Sequence, residues 1–485
     1  MTDRPRREPM SRVDAAWLRM DQPTNRMIVT GVMFFEQPVD YARLRRLIED
    51  RMLRFRRFRQ RVVDPGVPLA GPYWIDDRPV DLDHHLVRER LPEPADETVL
   101  QRRVGELMAT PLDPERPLWQ FHCLEHEPAR SRAVVCRIHH CIADGIALIY
   151  VMMSLMDQDG AAGALPAQER QDGPPEDDED GRAQAGSPLE AMLRGLRRAL
   201  GSTWSAAGSV LEEGLQLFTE PHRTLDLAAL AVSGLGSLAK LLTLPADSDT
   251  LFRGTLGIEK ACAWSRDYPL PQVKEIARVF GGTINDVLVT AAAGALRRYM
   301  VERGESPDGV EIRAMIPVNL RPLERASELG NHFGLVYLSL PVGIEDPFDR
   351  FLETKARMDA IKRSPEALVA FQVLRGLGYV PRGGTTPVVE MFARKATAVM
   401  TNVPGPREPI SLAGSRLERA MFWVPRSGPI GLGLSILSYA GRVYVGIATD
   451  AGLVPDPQRI AEHFHDELAA MVELVELPRR DGMAP

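Results

Sequence analysis

The sequence predicts an α/β protein built from two mixed blocks, and three observations carry that expectation. Short apolar runs of strand-like composition, such as MIVTGVMFF at 27–35, alternate with stretches of helical spacing in the first third of the chain. The same alternation resumes near residue 255 and continues to the end. Between the two, residues 157–187 are Gly, Pro, Ala and acid, including PPEDDEDG, which reads as a solvated, mobile linker. The expected organisation is therefore a block over 1–156, an acidic linker and helical connector over 157–254, and a second block over 255–485.

The whole-chain properties bound the possibilities. A chain of 485 residues can bury two sizeable cores. Its 44% hydrophobic and 26% charged content is that of a globular protein. A net charge of −7 gives no footprint for nucleic acid. Cys123, Cys136, Cys141 and Cys262 show no CxxC spacing, against a zinc ribbon or disulfide framework. The start, MTDRPRREPM, has no apolar core of a secretory signal, so a cytoplasmic setting is expected. The uncharged run 227–239, bounded by Asp226 and Lys240, is 13 residues long. Spanning a bilayer takes roughly 20.

In chain order, Leu44, Leu47, Ile48 and Met52 give 41–56 helical spacing. Residues 133–140 read as a short apolar strand, and 146–156 as a helix apolar nearly all round. Over 188–218 the stripe Leu193, Leu196, Leu200, Trp204, Ala207 and Leu211 marks a helix carrying Arg194, Arg197 and Arg198. That basic patch suits either a connector helix with a solvated face or a surface laid on anionic lipid. The second block predicts a helix over 285–300 and strands over 312–317 and 335–340. A hairpin, LSILSY-AG-RVYVGIATD, and a closing amphipathic helix over 457–474 complete it. GLGL at 431–434 lacks a third glycine and there is no GxxxxGK[ST], so no phosphate-loop chemistry is indicated.

The stretch with chemical content is RIHHCIADG, residues 137–145. Strand alternation puts Val134, Cys136, Ile138 and His140 on one face, and Ala133, Val135, Arg137 and His139 on the other. The two histidines therefore point apart and do different jobs. Adjacent strand residues that diverge suit metal chelation poorly, and no metal site is expected. A neutral imidazole in a dry cleft suits general-base work. Read locally, Asp144 is an N-cap for the helix after it. Cys141 reads as a small core residue rather than a nucleophile. A second pair, His84–His85, lacks the turn, the Asp and the Gly, and serves as an internal control.

HHxxxDG at a strand end resembles the signature of the CoA-dependent acyltransferase superfamily, which includes chloramphenicol acetyltransferase, carnitine acyltransferases and condensation domains. Within it the chain most resembles the bacterial wax ester synthase/diacylglycerol acyltransferases. The likeness covers nearly the whole length: SRVDAAWLRMDQPTN at 11–25, PLW at 117–119, IND at 284–286, PVNLRP at 317–322, LGNHFG at 329–334 and TNVPGP at 401–406. It implies two chloramphenicol-acetyltransferase-like subdomains with mixed sheets and the site in a channel between them. Fatty acyl-CoA would enter from one side, and diacylglycerol or a long-chain fatty alcohol from the other. No cofactor is implied, since acyl-CoA is a substrate.

The resemblance also implies roles. His140 removes the alcohol proton as the alcohol attacks the thioester, without a covalent acyl-enzyme, and His139 supports it. Asp144 becomes structural, pairing with an arginine for which Arg321 in PVNLRP is the candidate. Gly145 leaves room beside the backbone for substrate. Asn285 is a candidate donor to the thioester carbonyl, against a local reading in which Thr283 and Asp286 form a capping-box-like start to its helix. Thr401 and Asn402 line the cleft, whereas Trp119 in PLW reads as packing. A lipophilic acceptor implies contact with a lipid droplet or inner membrane surface, most readily through 188–245. Two rivals remain: an ester-forming enzyme fed by a carrier-protein thioester, and a non-catalytic lipid-binding relative.

Overall fold

A computed structural model describes residues 7–65, 71–76, 79–127, 130–157, 241–321, 329–364, 366–377 and 385–480. The expected linker beyond residue 157, the basic stripe at 188–218 and the run at 227–239 lie outside the described residues.

The first block provides β1 (Arg7–Pro9), β2 (Ile28–Phe35), β3 (Gln60–Val63), β4 (Tyr73–Asp76), β5 (Leu86–Arg90), β6 (Trp119–Glu127) and β7 (Arg130–His139). The second provides β8 (Lys260–Trp264), β9 (Tyr268–Pro269), β10 (Ile312–Asn319), β11 (Phe333–Leu340) and β12 (Ala398–Pro404). It continues with β13 (Ser411–Leu412), β14 (Ser415–Trp423), β15 (Leu432–Tyr439) and β16 (Arg442–Asp450). They form a small sheet in the order β1-β4-β3, a six-stranded sheet β13-β14-β2-β7-β6-β5, and a seven-stranded sheet β11-β10-β12-β15-β16-β8 with β9 on β16. Both large sheets are mixed. The β5–β6 pair is parallel in one, and β10–β12 and β12–β15 are parallel in the other.

Each large sheet has its own apolar core. Val32, Phe58, Trp74, Trp119, Phe121 and Val134 are buried in the first. Val273, Leu296, Ile312, Phe351, Ile436 and Phe464 are buried in the second. The sheets do not divide at one point in the chain, because β14 pairs antiparallel with β2, from Thr30↔Trp423 to Phe35↔Leu417. A late strand thus completes the early sheet and ties the two blocks.

Local signals and structure agree where the signal is local. In the β15–β16 hairpin, Ala440 and Gly441 both have positive φ (47° and 76°), as a two-residue turn matched to strand twist requires. The helix expected over 41–56 instead stops at Asp50 and continues as two short 3₁₀ turns, Met52–Arg54 and Arg56–Arg59. Phe58 is fully buried there and its carbonyl accepts from Trp119 Nε1 at 2.9 Å, which a straight helix would not allow. Among the described residues no single helix is long and apolar enough to cross a membrane.

Candidate active site

β7 is central in its sheet, paired with β2 on one side and β6 on the other, so its end is held rigidly. His140 comes directly after its last residue, and the backbone N–H of His140 donates to Met27 O at 2.7 Å. The chain then turns through Cys141, Ile142 and Ala143 into the helix Gly145–Leu155, with Asp144 as its N-cap.

The two histidines diverge. His139 turns toward Asp21, with Nε2 3.9 Å from Oδ1, while its Nδ1 accepts from the Cys141 N–H at 3.1 Å. Asp21 is itself held by the Met27 N–H at 2.7 Å and by Arg26 Nη1 at 2.9 Å. His140 packs against two aromatic rings that also touch each other, Trp17 and Phe333 having centroids 5.6 Å apart. It stacks on Trp17 with centroids 4.3 Å apart and meets Phe333 at 5.4 Å. Only 5% of His140 is exposed, and burial pushes its pKa down to about 4, so the imidazole is neutral at pH 7. His139 is pushed to about 4 by the same cause. Cys141 is fully buried, which drives its thiol pKa well above the ordinary range and makes it a packing residue.

Asp144 uses both oxygens. Oδ1 accepts from the Ala147 N–H at 3.0 Å, capping the helix. Oδ2 accepts from the His332 N–H at 3.1 Å and lies 3.0 Å from Arg321 Nη2. The Asp144 and Arg321 side chains are 5% and 6% exposed, so the ion pair is buried and joins the first block to the second. Arg321 Nη2 also donates to Gly330 O at 2.7 Å, and Ala143 forms a parallel bridge with Gly330. Gly330 holds φ at 109°, a region that favours glycine. Gly334 is needed for contact: a Cβ there would fall 2.0 Å from the Ala367 carbonyl oxygen. At Gly145, by contrast, an added Cβ meets no atom within 4 Å, so this position faces open space.

Asn285, Thr401 and Asn402 gather elsewhere, in a cavity of about 460 Å³. Asn402 Nδ2 donates to Asn285 Oδ1 at 2.8 Å, so the pair still offers both Asn285 Nδ2 hydrogens and the second of Asn402 as donors. Asn285 is also the second residue of the helix Ile284–Glu302, whose start is a capping box made by Thr283 and Asp286, so the local role holds beside the chemical one. The cavity walls are largely apolar, with Leu288, Ile316, Val336 and Met400 among them. All lining residues fall between 270 and 438, and His140 is not one of them. β11 passes both, its first residue, Phe333, touching His140 and its fourth, Val336, lining the cavity, so the two lie against opposite faces of the strand. That spacing is about 10 Å along a strand. Among the described residues, no group of three or more His, Cys, Asp or Glu side chains is arranged to share a metal ion.

The control pair behaves differently. His85 is fully buried, stacks on Trp119 at 4.2 Å, and its Nδ1 meets Trp119 O at 2.7 Å. Trp119 in PLW is thus packing. Burial pushes His85 down to about 4 from its ordinary 6.5. Below pH 6.5 the unfolded chain takes a proton at this residue that the folded chain refuses. Stability is therefore lost as pH falls from 6.5 to about 4, by about 1.4 kcal/mol per pH unit for one such histidine. His85→Phe keeps the ring and removes the proton site. We expect its unfolding free energy, measured by denaturant titration across that window, to depend on pH less steeply than the wild type by about one proton. An unchanged slope contradicts the burial account.

Four residues that position the site have no local pattern in the sequence to mark them: Trp17, Phe333, Asp14 and Asn331. They lie in SRVDAAW and LGNHFG, whose likeness to the family is the only signal.

The chain is similar to known proteins in both sequence and fold. The model of the wax ester synthase/diacylglycerol acyltransferase catalytic domain matches residues 10–288, and that of the family's C-terminal domain matches residues 329–472. A probable diacylglycerol O-acyltransferase of Mycobacterium tuberculosis is 29% identical over 479 residues, covering 95% of this chain and 98% of that protein. A putative diacylglycerol O-acyltransferase of Mycobacterium bovis is 27% identical over 428 residues, covering 86% and 85%. The wax ester synthase/diacylglycerol acyltransferase from Marinobacter aquaeolei VT8 superposes with a TM-score of 0.64 at 19% identity, covering 97% of this chain and 100% of that one. The first condensation domain of the calcium-dependent antibiotic synthetase superposes at 0.58 with 14% identity, covering 98% and 97%, a likeness of fold. Fold and site together define an acyltransferase of the two-subdomain, HHxxxDG class. The chain belongs to the wax ester synthase/diacylglycerol acyltransferase family.

Proposed function

We propose that the protein transfers a long-chain fatty acyl group from acyl-CoA to diacylglycerol, a long-chain alcohol, or both, with His140 as the proton carrier. The observation that carries this reading is the neutral His140 packed against Trp17 and Phe333 at the end of a rigid strand. Its Nδ1 is closed off inside the protein, which leaves Nε2 to meet the alcohol. Nε2 takes the hydroxyl proton as the oxygen attacks the thioester carbon. The tetrahedral intermediate then collapses, the C–S bond breaks, and the imidazolium returns the proton to the thiolate. The products are an ester and free CoA. A low pKa weakens the imidazole as a base but makes its conjugate acid an efficient donor to the departing sulfur. Asn285 Nδ2 is the proposed hydrogen-bond donor to the developing oxyanion. Thr401 and Asn402 shape the same cavity, and Gly145 leaves the space beside the turn open.

Acceptors of this kind partition into lipid. The proposal therefore includes a cytoplasmic enzyme held peripherally at the membrane or on lipid droplets. The test offers palmitoyl-CoA or the palmitoylated carrier protein, each with hexadecanol or diacylglycerol in anionic liposomes, and reads product mass and liposome-bound protein. Ester formation from free acyl-CoA and co-sedimentation are expected, with binding weakened when Arg194, Arg197 and Arg198 are neutralised. Turnover with the carrier protein alone would replace the donor. Binding without turnover would make the protein a non-catalytic lipid binder.

A further inference from the structure

Two short segments, far apart in sequence, meet at His140 and touch each other there, Trp17 lying 5.6 Å from Phe333. The helix Arg12–Met20 supplies Trp17, which stacks on the imidazole, and Asp14 three residues earlier on the same helix face. Residues 331–333 supply Phe333, which meets the same ring at 5.4 Å, and Asn331 two residues before it. Asn331 joins the two segments. Its backbone N–H and its Nδ2 both donate to Asp14 Oδ1, at 3.1 and 2.8 Å. The same Nδ2 donates its second hydrogen to the His140 carbonyl oxygen at 2.7 Å. Both neighbours of that nitrogen are acceptors, so the orientation of the amide is fixed. Asp14, Asn331 and His140 are all buried.

A carboxylate taken this far out of water is costly unless its partners do something that apolar side chains could not. Burial raises the Asp14 pKa, and the bonds from Asn331 and Ser11 oppose that rise. No substrate-facing role is open to Asp14, which is closed off behind Asn331. Its carboxylate oxygen instead sets where Nδ2 sits, and Nδ2 holds the carbonyl of His140, whose N–H is held by the Met27 carbonyl.

We propose that Asp14 and Asn331 are positioning residues for the transfer reaction: acting through the main chain, they hold His140 so that Nε2 stays in line with the bound alcohol. This rests on the reading of His140 as the base. Misplacing a reacting group by about 1 Å costs about a hundredfold, so a loss between tenfold and a hundredfold is the size expected when one strut goes.

The test compares steady-state kinetics of the full chain in five variants. Asn331→Ala and Asp14→Ala are expected to lower kcat by about tenfold to a hundredfold while KM for acyl-CoA moves by less than about twofold. Asp14→Asn keeps Oδ1 as the acceptor and is expected to recover kcat to within about threefold of wild type. Asn331→Ala added to His140→Ala is expected to cost nothing beyond His140→Ala alone, because the strut acts only through that histidine. The inference is overturned if Asn331→Ala keeps wild-type kcat, if Asp14→Asn is as poor as Asp14→Ala, or if the two losses multiply in the double variant. Turnover retained by His140→Ala would overturn the base assignment instead, so the two failures are distinct.

Discussion

His140→Ala is expected to lower kcat/KM by about 10²- to 10⁴-fold, the usual contribution of a positioned general base, while the protein stays folded. The fold survives because the bonds holding this residue are main-chain bonds, the N–H to Met27 and the carbonyl from Asn331, and alanine keeps both. What is lost is a ring packed against Trp17 and Phe333. The wild-type pH profile is the companion expectation. With its pKa near 4, His140 is almost wholly neutral at pH 5.5, where an ordinary histidine would be about nine-tenths protonated. Initial rates of kcat/KM should therefore stay near their plateau at pH 5.5. An acid limb centred near 6.5 would contradict the buried, neutral base.

Breaking the Asp144–Arg321 pair is expected to produce the largest loss of stability. Asp144→Ala leaves a buried guanidinium without its carboxylate, at a typical cost of about 3–5 kcal/mol. It also removes the helix cap on the Ala147 N–H, worth about 1 kcal/mol. Removing both charges, as Asp144→Ala with Arg321→Met, should cost less than the sum of the two single losses, since neither then stays buried without the other. Denaturant unfolding of the four proteins measures this coupling. A loss below about 1 kcal/mol for Asp144→Ala would mean that the pair does not tie the blocks together.

The contrast between His140 and His85 shows which chemistry was legible in the sequence. Both imidazoles are buried, stacked on a tryptophan and pushed to a pKa near 4. They differ in the residues that succeed them along the chain: a turn, an aspartate and a glycine after His140, an edge strand after His85. Strand alternation foretold that His139 and His140 diverge, because a pleat is local. From the sequence, cap and strut compete as roles for Asp144, yet a carboxylate has two oxygens and the structure uses one for each. Contacts that cross the chain left no local mark. Asp14 and Asn331 are 317 residues apart, and β14 reaches β2 across nearly 400 residues. The cavity likewise draws Asn285, Thr401 and Asn402 together from separate elements, which only the sheet order could reveal.

The most direct test of the central claim tracks both products of one reaction. Stoichiometric palmitoyl-CoA is mixed with the protein, first without and then with hexadecanol or diacylglycerol, and intact-protein mass, free thiol and ester mass are read together. Direct attack assisted by His140 predicts no acylated protein at any time. It also predicts thiol and ester released one for one only after the alcohol is added, and neither above background in His140→Ala. An acyl adduct on the protein, or ester formed by His140→Ala at the wild-type rate, would contradict it.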